Sequence, residues 1–225
     1  MKKFLFCCTT LLAALTCNAQ TDSAAGHEYV DLGLSVKWAT CNVGATSPEE
    51  FGDYYAWGET ETKEEYSWNT YKWCKAHAFT NTKYCMYMEY GEVDNKTSLD
   101  PEDDVAHVKW GGNWRMPVNA EVRELIDKCT WTLTKQGGVR GYKVTSKTNG
   151  NSIFLPEAGY RIDGGIYDTG KYGNYWTATL EDVNSNNALQ MTFTPNYSHR
   201  NAMNRSNGNS VRPVYSDLIT WPAKE

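Results

Sequence analysis

The chain has 225 residues, a formal net charge of −5 at pH 7, and a composition that is 40% hydrophobic and 13% aromatic. That length suffices for one domain with a sizeable core. The acidic balance excludes nucleic-acid binding through bulk charge, and beyond the N-terminus no apolar run reaches the length of a transmembrane helix.

Residues 1–19 read as an export signal. Met1-Lys2-Lys3 is a basic start, Phe4 to Thr16 is an apolar run too short to span a bilayer comfortably, and Ala19 is a small residue at a cleavage position. Such a signal sends the chain beyond the inner membrane, to the periplasm, the outer-membrane surface or the medium. A lipoprotein anchored through Cys17 is the competing address, although Thr16 is a poor lead-in to a lipid-bearing cysteine. Cleavage removes Lys2 and Lys3 and takes the formal charge from −5 to −7. It leaves Cys41, Cys74, Cys85 and Cys129 of the seven cysteines. An even number in an exported chain reads as disulfides, with three connectivities open. Zinc fits poorly: there is no C-x-x-C and no close Cys-His cluster, although His77 lies three residues after Cys74.

The mature chain opens with two short strands, Glu28–Gly33 and Ser35–Thr40, around a glycine turn. Tyr54–Gly58 is a short aromatic strand or a buried loop. Glu59–Asn69 is acidic and irregular, and Lys75–Asn95 shows no clear period. Asp100-Pro101-Glu102-Asp103-Asp104 reads as a helix start, with Asp100 as cap, Pro101 at the first position and acids at the positive end of the dipole. Calcium is the rival use of these acids, but the spacing lacks the glycine and terminal Glu of an EF-hand loop. A second helix is marked by Val118, Val122, Leu125 and Ile126, with Pro117 and Asn119 at its beginning and Cys129 near its end. Tyr142–Thr145 and Ser152–Leu155 are strands joined by the Asn149-Gly150-Asn151 turn. Ala188–Phe193 alternates as a strand does, and Ser210–Tyr215 is the last strand. Two helices within short strands and loops make an α+β domain.

Several motifs then fall in one order: His27–Leu34, Val36–Ala45, Tyr54–Thr60, Asp100–Asp104, Trp114-Arg115-Met116-Pro117 and Ser210-Val211-Arg212-Pro213-Val214. Over residues 27–216 the chain resembles the Fibrobacter succinogenes major paralogous domain of exported Bacteroidetes proteins. The resemblance implies a C-type-lectin-like fold, related to the formylglycine-generating-enzyme branch through W-R-x-P, Y-W-x-x-T and V-R-P-V motifs. Oxidase chemistry does not carry over, because Cys129 is the last cysteine. Calcium-dependent sugar binding does not carry over either, because the Glu-Pro-Asn or Gln-Pro-Asp and Trp-Asn-Asp motifs are missing. Because Cys41 and Cys129 lie within family motifs, the expected bridges are Cys41–Cys129 and a local Cys74–Cys85 pair. Trp38, Trp57, Trp114, Trp176, Arg115 and Arg212 belong to the same motifs and are expected to be structural.

No catalytic constellation stands out. His27, His77, His107 and His199 are scattered, and no G-x-S-x-G or H-E-x-x-H occurs. Residues 183–216 differ from the rest: they contain no Asp or Glu and are dense in Asn. Asn196, Tyr197, His199, Arg200, Asn204, Arg205 and Asn207 are therefore the expected ligand contacts, exposed together on loops with Tyr197 as aromatic anchor. Asn-rich turns between late strands explain the same composition without a ligand. The expected function is an exported, non-catalytic recognition domain for a glycan or surface protein, needing no cofactor or metal. A structural subunit of the cell surface is second and a polysaccharide-acting enzyme third.

Overall fold

A computed structural model of the chain describes residues 21–195 and 197–218. The expected export signal at residues 1–19, Cys17 and Asn196 lie outside the described residues. The domain is α+β and loop-rich, with two short helices among small antiparallel sheets.

The first sheet has the order β1-β2-β3-β13-β4. It contains β1 (Thr21–Ala24), β2 (His27–Val30), β3 (Lys37–Ala39), β4 (Trp114–Arg115) and β13 (Val214–Tyr215). The β1–β2 reversal is a two-residue hairpin: Ala25 and Gly26 adopt φ of 50° and 82°, as the twist of paired strands requires. Early and late chain segments thus close one sheet.

Helix α1 (Val105–Trp110) is capped by Asp104, whose carboxylate accepts from the His107 amide at 3.0 Å. The expected cap, Asp100, precedes only a 3-10 turn at Pro101–Asp103 and makes no side-chain cap bond. The difference has a physical cause: Asp100 is held by Lys83 and Lys96 at 2.6 and 2.5 Å. Helix α2 (Asn119–Lys128) begins where the Glu121 carboxylate accepts from the Val118 amide at 2.8 Å. The same carboxylate takes a bidentate grip from Arg115, at 2.8 and 2.5 Å.

Strands β5 (Cys129–Gln136), β6 (Val139–Ser146) and β7 (Ser152–Pro156) form a second sheet. The expected Asn149-Gly150-Asn151 turn joins β6 to β7, and both Asn side chains donate to the Asp31 carbonyl, at 3.0 and 2.8 Å. A small hairpin pairs β8 (Tyr160–Ile162) with β9 (Gly165–Tyr167). The remaining sheet is β10 (Gly173–Leu180), β11 (Asn187–Thr194) and β12 (Tyr197–Asn204).

Strand β10 separates the two main cores. Its Tyr175 joins Leu125, Val144, Leu155, Met191 and Phe193, while its Trp176 joins Trp57, Tyr84, Leu99, Met116 and Val211. Trp38, Trp57, Trp114 and Trp176 are fully buried. Trp57 donates its indole N–H to the Thr177 carbonyl and Trp176 donates to the Tyr55 carbonyl, both at 2.8 Å. This reciprocal pair ties the Tyr54–Gly58 segment to β10. The segment is a buried loop bridged at Tyr55 to Asn209. Arg212 is fully buried and bonded to Asn42 Oδ1 (2.7 Å) and to the Ala39 and Thr40 carbonyls (3.1 and 2.8 Å). Burial lowers its pKa.

The cysteine expectation is corrected. Cys41, Cys74, Cys85 and Cys129 are free thiols, so neither the Cys41–Cys129 nor the Cys74–Cys85 bridge is formed. Each sulfur has its own surroundings. Cys129 packs in the core beside α2, where burial pushes its thiol up to about 11. Cys41 Sγ lies 3.6 Å from Thr40 Oγ1. Cys74 and Cys85 point to different carbonyls, those of Trp68 (3.1 Å) and Tyr87 (3.2 Å).

Candidate functional site

The expected ligand residues do not share one loop face. Residues 197–204 form β12, paired in register along β11. Strand alternation sends Tyr197 and His199 to one side, opposite Thr194 and Thr192. Arg200 and Asn204 go to the other side, opposite Met191 and Asn187. Tyr197 is 51% exposed and meets His199 edge-on at 4.5 Å. Asn204 is exposed, and His199 and Arg200 are half-buried.

Arg205 and Asn207 are corrections, since both are buried and unavailable as surface contacts. The segment after β12 runs inside the molecule, not over it. Its backbone is paired with interior loops and with β8 through Trp57 N to Arg205 O, Arg161 N to Gly208 O, Tyr55 N to Asn209 O and Val43 N to Val211 O. Asn209 serves that interior by donating to Gln190 Oε1 at 2.6 Å. Arg205 donates to the carbonyls of Tyr84 and Lys83 (both 2.7 Å), Ser185 (3.0 Å) and Trp73 (3.5 Å). Its guanidinium also sits over the rings of Tyr71 and Trp57, at 5.3 and 5.7 Å. It is a clamp on neighbouring loops.

Arg200 instead opens onto a cleft of about 560 Å³ between the start of α2 and the β10–β12 sheet. Ser98, Asn119, Thr179, Glu181, Asp182 and Asn201 line it with Arg200. Asn119 is the first residue of α2, and its amide N–H donates to Thr179 Oγ1 at 3.1 Å. Its side-chain Oδ1 is buried without a hydrogen-bond partner. Glu181 is oriented by Asn187, which donates to it at 2.9 Å. Ser98 gives its hydroxyl to the Ala178 carbonyl at 3.2 Å. The cleft thus offers a cation, two carboxylates, two amides and hydroxyl groups over a small apolar floor, a layout suited to a ligand rich in hydroxyls.

Sequence reasoning found Arg200 but missed Asn119, Glu181 and Asp182. The only signal was that Glu181 and Asp182 are the last acids before the acid-free stretch. Nothing in the spacing connects Asn119 with Arg200.

The acids Asp100, Glu102 and Asp103 come within ion-holding distance of one another. Lysines already occupy them. Lys83 lies 2.6 Å from both Asp100 and Asp103, and Lys72 lies 3.2 Å from Asp103. Tyr84 donates its hydroxyl to Asp103 at 2.6 Å. Asp104 behaves differently: burial raises its carboxyl to about 6 despite the amides of Met116 and His107.

Comparison with protein-family models, with curated proteins and with solved structures finds no match.

Proposed function

We propose that this chain is an exported, non-catalytic recognition domain of C-type-lectin-like fold that binds a saccharide in the cleft beside α2. The observation that carries the reading is the unpartnered Asn119 Oδ1, buried in the same cleft as Arg200, Glu181 and Asp182. A buried acceptor without a donor is costly, and a ligand hydroxyl would satisfy it. Facing donors and acceptors are the groups that discriminate one hydroxyl pattern from another. Within the cleft Ser98 is bonded to a carbonyl and not to a base, which supports recognition over attack by an activated hydroxyl. The fold assignment is supported by the ordered motifs, the fully buried tryptophans within them and the pairing of early with late strands. The export assignment rests on residues 1–19.

The test is a glycan array followed by calorimetry on the mature chain. Binding lost in Arg200→Ala and Asn119→Ala, at unchanged melting temperature, supports the cleft. Binding that survives both substitutions places the ligand elsewhere. No binding by a chain that self-assembles favours a structural subunit of the cell surface.

A further inference from the structure

Beside the cleft stands an aromatic shelf that no interior role explains. The irregular segment before α1 presents Phe79, Tyr87 and Met88 to solvent, at 56%, 45% and 87% exposure. Phe79 stacks on Tyr90 at 5.8 Å with 19° between the planes, and Tyr90 meets Tyr87 edge-on at 6.4 Å. Tyr87 donates its hydroxyl to the carbonyl of Asp182, a cleft residue, at 3.0 Å. Tyr90 is held above the ordinary phenol range by burial and then by the charges of Glu89 and Glu181. The shelf is therefore continuous with the acidic wall of the cleft.

Two features show that the shelf is built in place. First, the segment is fastened to the β10–β11 loop: Asn81 donates to Asn186 Oδ1 (2.8 Å), the Met86 amide donates to Ser185 Oγ (2.9 Å), and the Phe79 amide donates to Asn186 Oδ1 (3.3 Å). Second, Phe79 has a φ of 69°, a left-handed conformation that bulky residues rarely adopt. Glycine would hold that turn without strain, yet the position carries an exposed aromatic ring.

We infer that this shelf is a second subsite, over which a saccharide chain seated in the cleft continues across Tyr87 and Tyr90 to Phe79. The inference rests on the proposed cleft function and adds the ligand class, an uncharged oligosaccharide. Phe79 and Tyr87 keep about half of their surface open to solvent, and exposed aromatic faces pack against the C–H faces of sugar rings. Glu89, Glu181 and Asp182 rim the surface and repel anionic polymers, while Glu92 is paired with Lys75 at 2.6 Å.

The experiment is calorimetry with the disaccharide and hexasaccharide of the cello-, malto-, manno- and chito-series, and with oligogalacturonate. The hexasaccharide of the recognised series binds at least about tenfold tighter than its disaccharide, and oligogalacturonate does not bind. Phe79→Ala and Phe79→Gly remove that gain and leave disaccharide affinity unchanged, whereas Arg200→Ala weakens both lengths. Unchanged circular dichroism and melting temperature confirm that the variants are folded. Equal affinity for both lengths, or an unaffected Phe79→Gly, overturns the shelf and leaves the cleft standing. So does a dimer that Phe79→Ala dissociates. No binding to any series overturns both.

Discussion

Replacing Arg205 perturbs the buried clamp that holds the 73–90 segment to the β10–β11 loop. Arg205→Met keeps much of the side-chain volume but removes every N–H. Three short bonds, to the carbonyls of Lys83, Tyr84 and Ser185, are lost at 2.7, 2.7 and 3.0 Å. Hydrogen bonds from a charged donor contribute about 1.5–3 kcal/mol each, so the gross loss is about 5–9 kcal/mol. The substitution also relieves the burial of a guanidinium that has no carboxylate within 4.0 Å among the described residues. That relief is several kcal/mol, which leaves a net loss of about 4 kcal/mol. For a chain of this length it lowers the melting temperature by about 8–16 °C. Arg205→Lys keeps the charge but not the fork, and is expected to lose about half as much. Calorimetry gives the stability, and amide exchange over residues 73–90 reports whether the aromatic segment loosens, because its carbonyls are the ones clamped. A loss below about 1 kcal/mol for Arg205→Met, the range of ordinary surface changes, would refute the clamp.

Trp176→Ala should cost about 3–5 kcal/mol in urea unfolding, through a cavity in the core it shares with Trp57 and Met116 and loss of one of the two hydrogen bonds to the Tyr55 carbonyl. Phe79→Gly should leave stability equal or raise it by about 1 kcal/mol, because glycine accepts the left-handed backbone; a clear loss would show that the ring is needed for folding. Asp104 has a carboxyl raised by burial from the ordinary 3.8 to about 6, so the native state holds this proton more tightly than the unfolded chain. Its contribution is full below about pH 4 and is lost as pH rises through about 6, a change of about 3 kcal/mol. Denaturation at pH 4 and pH 7 should show that loss in the wild type relative to Asp104→Asn; parallel pH profiles would contradict it. Because the four described cysteines are free, dithiothreitol should leave the melting temperature unchanged, whereas a Cys41–Cys129 bridge would have been worth about 4–5 kcal/mol.

The α+β class, the second helix, the turn at Asn149–Asn151 and strand β11 are legible in the order of residues alone. These are legible because local periodicity and turn chemistry carry them: Val122 and Leu125 recur at helical spacing, and Gly150 takes the positive φ of 77° that the turn requires. The buried tryptophans were also legible. Strand β10 was not recognised, because it is buried on both faces and shows no alternation from Gly173 to Ala178. Strand β5 was missed because it follows α2 without an intervening loop.

Which late polar residues face outward depends on long-range packing. Asn and Arg have the same composition signature whether they meet solvent or satisfy interior carbonyls. Only the pairing of residues 205–211 with the loops at Val43, Tyr55 and Trp57 and with β8 at Arg161 turned Arg205 and Asn207 inward. The same long-range packing brings Asn119, Glu181 and Arg200 to one cleft from three separate elements. Hydrogen bonding across such distances leaves no period in the chain, so that part of the candidate site appears only when the strands are in register.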